Sequence, residues 1–102
     1  MRETTYLILT ALASGERHGY GIVQEVQAIS EGRVRLGTGS LYGALERLLG
    51  EGLIEATREE VVDGRTRRYY RLSGTGRNAL VDEVLRLEAN VTAARTRLAG
   101  GA

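Results

Sequence analysis

The stretch LGTGSLYGALERL, residues 36–48, holds the densest chemistry-bearing spacing in the chain. Gly37, Gly39 and Gly43 ahead of a leucine-rich segment admit two uses. Glycines between a strand and a helix let backbone N–H groups close on a phosphate, as in dinucleotide-binding loops. That device needs a βαβ unit of ~30 residues with an acid ~20 residues further on, and Glu59 or Glu60 stands at about that distance. Here, however, the spacing is G-x-G-x-x-x-G, the upstream RVRL is short even as a strand, and no second βαβ half fits. The other use is a helix kept small on its outer face. Leu41, Ala44, Leu45, Leu48 and Leu49 recur at the spacing of a helical apolar stripe. Opposite them fall Gly39, Ser40, Gly43, Glu46, Arg47 and Gly50, with Tyr42 on the flank and Thr38 placed to cap the first turn.

The rest of the chain offers little to a catalyst. Its 102 residues contain no Cys, Trp, Phe or Pro and one His, which excludes thiol chemistry and leaves an imidazole or thiolate metal site without ligands. His18 has no Ser-His-Asp arrangement around it. No enzyme, no metal and no cofactor are expected. Net charge is only +1, so no global basic field points to a polyanion. Distribution says more. All 14 basic residues are Arg, and Arg58, Arg65, Arg67, Arg68, Arg71 and Arg77 cluster against Glu59, Glu60 and Asp63.

The length suits one small module. Residues 4–14 read as a helix with Leu7, Ile8, Ala11 and Leu12 inward, and Ile22, Val26 and Ile29 mark a second. RVRL, residues 33–36, reads as a short strand. After the third helix, Asp63-Gly64 between two β-prone runs predicts a type I′ hairpin in which Val62 faces Arg65, Val61 faces Thr66, Glu60 faces Arg67 and Glu59 faces Arg68. Two opposite-charge pairs would then give Arg67 and Arg68 a structural use. Tyr69 and Tyr70 alternate faces, one for the core and one against the terminal helix. That helix starts at Ser73 and runs to about Leu98. In it Leu80, Val84, Leu87, Val91, Ala94 and Leu98 form a 4-3-4-3-4 seam, expected to meet the same seam of a second copy. The Gly-Gly-Ala end is expected to fray.

Helix, helix, short strand, helix, hairpin is the layout of a winged helix-turn-helix, whose third helix enters the DNA major groove while the hairpin lies along the backbone. The fold class expected is therefore mainly α with a small β-hairpin wing: a winged-helix domain over residues 1–72 and a C-terminal dimerisation helix over 73–102. Gly39, Ser40 and Gly43 then allow close approach to DNA, and the helix N-terminus offers N–H groups to phosphate. The N-terminal run MRETTYLILTALASG is neither a signal peptide, because Glu3 spoils its positive flank, nor long enough to span a membrane. A cytoplasmic location without membrane contact is expected.

HGYGI at 18–22, GTGSLYGALERLLGEGLIE at 37–55 and DGRTRRYYRLSGTGR at 63–77 resemble the PadR family of transcriptional regulators, across most of the chain. The resemblance implies a homodimeric repressor on an inverted-repeat operator in double-stranded DNA, released by a small apolar or aromatic effector. It implies DNA contacts from Ser40 and Tyr42 in the recognition helix and from His18 and Tyr20 at the start of the second helix. Thr38, Gly39, Gly43 and Arg47 join them by position, and Arg65 and Arg67 from the wing. The family commonly has Pro where this chain has Gly43, which leaves the first turn of the recognition helix less stiff. Two other readings of the same scaffold are a small-molecule sensor and a protein-interaction module.

Overall fold

The computed structural model describes residues 1–100. They run as α1 (Glu3–Leu12), β1 (Arg17–His18), α2 (Gly19–Ile29), α3 (Thr38–Gly50), β2 (Ile54–Val62), β3 (Arg65–Leu72) and α4 (Gly74–Leu98). Gly101 and Ala102, most of the end expected to fray, lie outside the described residues. The winged helix-turn-helix with a long terminal helix is the architecture that the sequence predicts. Ile8, Leu9 and Leu12 of α1, Ile22 and Val26 of α2, and Leu41, Leu45 and Leu48 of α3 meet Ile54, Tyr70 and Leu80 in one core. Each Leu or Ile fully withdrawn from water contributes about 1.5–3 kcal/mol. Ile29, assigned inward by periodicity, is instead exposed at the end of α2.

RVRL forms no strand. Ser30 takes up its backbone: the Val34 N–H donates to Ser30 Oγ at 2.9 Å and the Arg33 N–H to the Ser30 carbonyl at 3.1 Å. The third strand is β1, which pairs Arg17 with Tyr70 and His18 with Tyr69, giving the order β1-β3-β2. Arg17 is fixed there by donating Nε to the Ala11 carbonyl at 2.8 Å.

The hairpin has the register expected from Asp63-Gly64, with both turn residues at positive φ, 51° and 75°. Below Glu59 the pairing shifts by one residue, so that Thr57 and Arg58 together oppose Tyr69. Such a bulge bends the ribbon and re-aims side chains.

The junction from wing to α4 is closely fitted. Ser73 caps the helix, accepting from the Gly76 N–H at 2.9 Å while donating its hydroxyl to the Gly52 carbonyl at 2.6 Å. Its own N–H donates to the Leu53 carbonyl at 3.1 Å. Further along, Arg86 and the Met1 ammonium donate to the buried Glu83, Arg86 Nε at 2.8 Å and Met1 at 3.2 Å. The Arg86 hydrogen bonds outweigh desolvation and, with the Met1 ammonium, hold the carboxyl down to about 2. Because the folded value lies below the ordinary carboxylate value of 4.5, this stabilisation is complete above that pH and is lost as pH falls toward 2. The thermal midpoint of Glu83→Gln should therefore fall less steeply than wild type between about pH 4.5 and 2. Parallel slopes in a pH series of melting curves would contradict the assignment.

Beyond Leu87, α4 leaves the body. Every residue from Glu88 to Leu98 is exposed, and the molecule measures 60 × 28 × 21 Å.

Candidate nucleic-acid interface

The recognition helix α3 begins bare. Gly37, in extended conformation, is its N-cap, and no side chain accepts from the first turn. Thr38 is thus not the cap: it is already the first helical residue, and its side chain accepts from none of the orphan N–H groups. Those N–H groups of the first turn face outward with the positive end of the helix dipole. At the far end Gly52, at φ 73°, turns the chain so that the Leu53 N–H donates to the Leu48 carbonyl at 3.0 Å.

Gly39, Ser40 and Gly43 are all exposed on α3. A methyl group added at Gly39, Gly43 or Gly50 would meet nothing within 4 Å, so the chain's own packing does not require glycine there. Gly19, the first residue of α2, is different: a Cβ there would stand 3.0 Å from the Tyr42 hydroxyl and 3.3 Å from Leu41. Its absence lets the tips of α2 and α3 close on each other. Tyr42 covers this joint and still leaves half its surface (50%) to solvent, while Tyr20 beside it is 65% exposed.

His18 links the same joint to the wing. It caps α2 by accepting from the Gly21 N–H at its Nδ1, 3.2 Å away, and its ring meets Tyr69 edge-on with centroids 5.4 Å apart. Burial, then the positive charge of Arg67, push its pKa below the ordinary value against the opposing pull of Glu60, which keeps Nδ1 an acceptor. Tyr69 therefore packs on His18 rather than on the terminal helix, and Tyr70 takes the core position.

The bulge changes which arginines are engaged. Arg58 lies 3.8 Å over the Tyr69 ring and donates to Glu16 Oε1 at 2.7 Å and to Glu60 Oε2 at 2.8 Å. Glu60 also accepts from the Tyr69 hydroxyl at 3.4 Å. Arg68 pairs with Glu59 at 3.5 Å as the register predicts, but Glu60 is taken by Arg58, so the expected Glu60–Arg67 pair is not made. Arg65 and Arg67 form no ion pair among the described residues, and both are exposed. Spacing alone could not show this, because the competing Arg58 is brought in by the bulge.

Two groups of expected residues lie elsewhere. Arg47 is turned toward α1, donating to Thr5 Oγ1 at 2.7 Å and pairing with Glu51 at 3.2 Å, so it does not join the helix-tip cluster. In the α4 seam, Leu80 is buried in the chain's own core and Leu87 is half-buried, whereas Val84, Val91, Ala94 and Leu98 are exposed. Among the described residues no group of three or more His, Cys, Asp or Glu is placed to hold a metal ion, and no helix is long and apolar enough to cross a membrane.

Gly19 thus packs against Tyr42 and Leu41, His18 joins the start of α2 to Tyr69 of the wing, and Arg68 lines a groove with Tyr42. Residues 8–82 match the model of the transcriptional regulator PadR-like family. The chain is 41% identical over 81 residues to the transcriptional regulator Rv3488 of Mycobacterium tuberculosis, covering 79% of this chain and 72% of that one. In structure it is similar to smu.1704 from Streptococcus mutans, at a TM-score of 0.77 and 25% identity, with 95% of this chain and 87% of that one covered. It is likewise similar to Bacillus subtilis PadR crystallised in complex with operator DNA, at a TM-score of 0.72 and 26% identity, covering 81% of this chain and 47% of that one. With helices, wing and motif blocks agreeing over three quarters of its length, the chain belongs to the PadR-like family of transcriptional regulators and not to a family of enzymes.

Proposed function

We propose that two copies of the chain bind an inverted-repeat operator in double-stranded DNA, each placing the start of α3 in a major groove and its wing along the adjoining backbone. The observation that carries this reading is the joint at Gly19. It packs the start of α2 against Leu41 and Tyr42 of α3, the His18 cap of α2 meets Tyr69 of the wing, and Arg65 and Arg67 of that wing are exposed without an ion pair among the described residues. Ser40 and the first-turn N–H groups serve phosphate or base edges, with Thr38 at the same end. Gly39 and Gly43 let the backbone approach, and Tyr42, Tyr20 and His18 contact the backbone or hold the tips that do. Arg65 and Arg67 supply charge to phosphates or the minor groove. Arg47 braces α3 against α1.

The division at residues 72 and 73 carries over into this proposal, with one refinement. The first turns of α4 complete the winged-helix core through Leu80 and Glu83, and the seam from Val84 to Leu98 is left for the second copy. A cavity of about 300 Å³ between α1, the end of α2 and α4, lined by Tyr6, Leu7, Ile29 and Leu87 with Glu3 and Arg33 at its edge, suits a small apolar or aromatic effector. Occupancy there would shift α4 against the winged helix and so change the spacing of the two recognition helices, releasing a repressor from its operator.

A mobility-shift titration of the full chain on DNA from upstream of its own gene tests the reading, with affinity falling steeply as salt rises. No shift at low salt on any such duplex would favour a protein-interaction role. Arg65→Ala and Arg67→Ala should each lower the salt slope by about one per wing while leaving the melting temperature unchanged, because neither breaks an ion pair. An unaltered slope in both variants would take the wing off the DNA.

A further inference from the structure

On α3, the row most nearly opposite the buried Leu41, Leu45 and Leu48 consists of Gly39, Gly43, Glu46 and Gly50. Three of the four have no side chain, so along the ridge that meets the groove first, Glu46 alone projects. It is exposed and lines the groove between α3 and β3 with Tyr42, Arg68 and Tyr70. Its neighbouring cations are already engaged: Arg47, one residue on, with Glu51, and Arg68, across the groove, with Glu59. The structure therefore leaves a carboxylate without a partner on a face otherwise built for approach to a polyanion. An ionised carboxylate can only accept hydrogen bonds, and phosphate offers it none to accept. In the major groove the donors are the exocyclic amino groups of the bases, and a carboxylate matches the N4 amino group of cytosine.

We propose that Glu46 is the specificity-determining residue of the recognition helix. It accepts from the amino group of one cytosine in each half-site, and by repelling phosphate it holds down affinity for every other sequence. The proposal rests on the DNA-binding reading above. It also gives the bare ridge a purpose: with no bulk at Gly39, Gly43 or Gly50, the helix can sink until a side chain as short as Glu reaches a base edge.

The test is selection from a randomised duplex library by the full-length wild type, Glu46→Ala and Glu46→Gln, with affinity for an unrelated duplex measured in parallel. The wild type should demand cytosine at one position of each half-site by about five- to 150-fold. Glu46→Ala should erase that preference and leave the others. Glu46→Gln should move it toward adenine, whose edge a carboxamide fits. Both variants should bind the unrelated duplex several-fold more tightly at low salt. Selected sequences identical for all three proteins would overturn the role of Glu46 and leave DNA binding intact. A wild type that enriches no sequence would overturn the DNA-binding reading itself, and this inference with it.

Discussion

Gly76→Ala is expected to lower the melting temperature by more than about 10 °C, corresponding to a loss of about 3 kcal/mol in a domain of this size. A Cβ at this position would overlap the Leu53 carbonyl oxygen and stand 2.8 Å from the carbonyl carbon. Both partners are backbone, so no rotamer change relieves the clash. The same carbonyl accepts from the Ser73 N–H at 3.1 Å, and Ser73 in turn binds Gly52 and caps α4. Pushing the helix away would break these bonds together and withdraw Leu80 from the core. Gly74→Ala is the control, since a methyl there meets nothing within 4 Å. Calorimetric melting of both variants gives the comparison, and midpoints within about 2 °C of each other would show that α4 is not clamped at Gly76.

Gly39→Ala with Gly43→Ala is expected to move stability and binding in opposite directions. Inside a helix, Ala is favoured over Gly by up to about 1 kcal/mol, and neither methyl touches the rest of the chain. The denaturant midpoint should therefore rise. With α3 in the groove as proposed, each methyl would stand where the helix backbone approaches the duplex, and overpacking a fitted contact costs about 1–3 kcal/mol, or roughly five- to 150-fold in affinity per methyl. Urea titration and mobility shift on the same preparations give the two signs. Unchanged operator affinity in the doubly substituted protein would mean that this row of α3 does not face the duplex.

Much of the architecture was legible because local and long-range signals coincide. Leu41, Leu45 and Leu48 declare both a helix and the side that packs, and Asp63-Gly64 fixes a turn type, hence a register, hence the Glu59–Arg68 pair. The features that escaped depend on a third partner. The two-residue strand at Arg17 exists because β3 has an open edge and Ala11 a free carbonyl, neither of which is written near Arg17. The spacing puts Glu60 opposite Arg67, yet an offset of one residue at Thr57 and Arg58 brings in a stronger competitor for that acid. Leu80 satisfies a heptad seam and a core position equally well, and only the path of the wing decides between them.

The candidate interface divides in the same way. Ser40, Gly39 and Gly43 could be placed from helical periodicity, and His18 at a helix start. Gly19 could not, since its smallness matters to Leu41 and Tyr42, more than 20 positions away in the sequence. Thr38 illustrates the usual limit of boundary assignment: a good capping residue follows a glycine that already has the extended conformation a cap needs.

The far half of α4 stands clear of its own domain, with Leu98 86% exposed and Val91 49%. This end continues turns already formed and needs no new nucleus, but without packing the propagation of each further turn is close to balance in water. Where a second copy covers the seam, order in this segment and assembly become one equilibrium, and mass action governs both. In a dimer joined through this seam, concentration would set together how many copies are paired and how far the end of α4 is ordered.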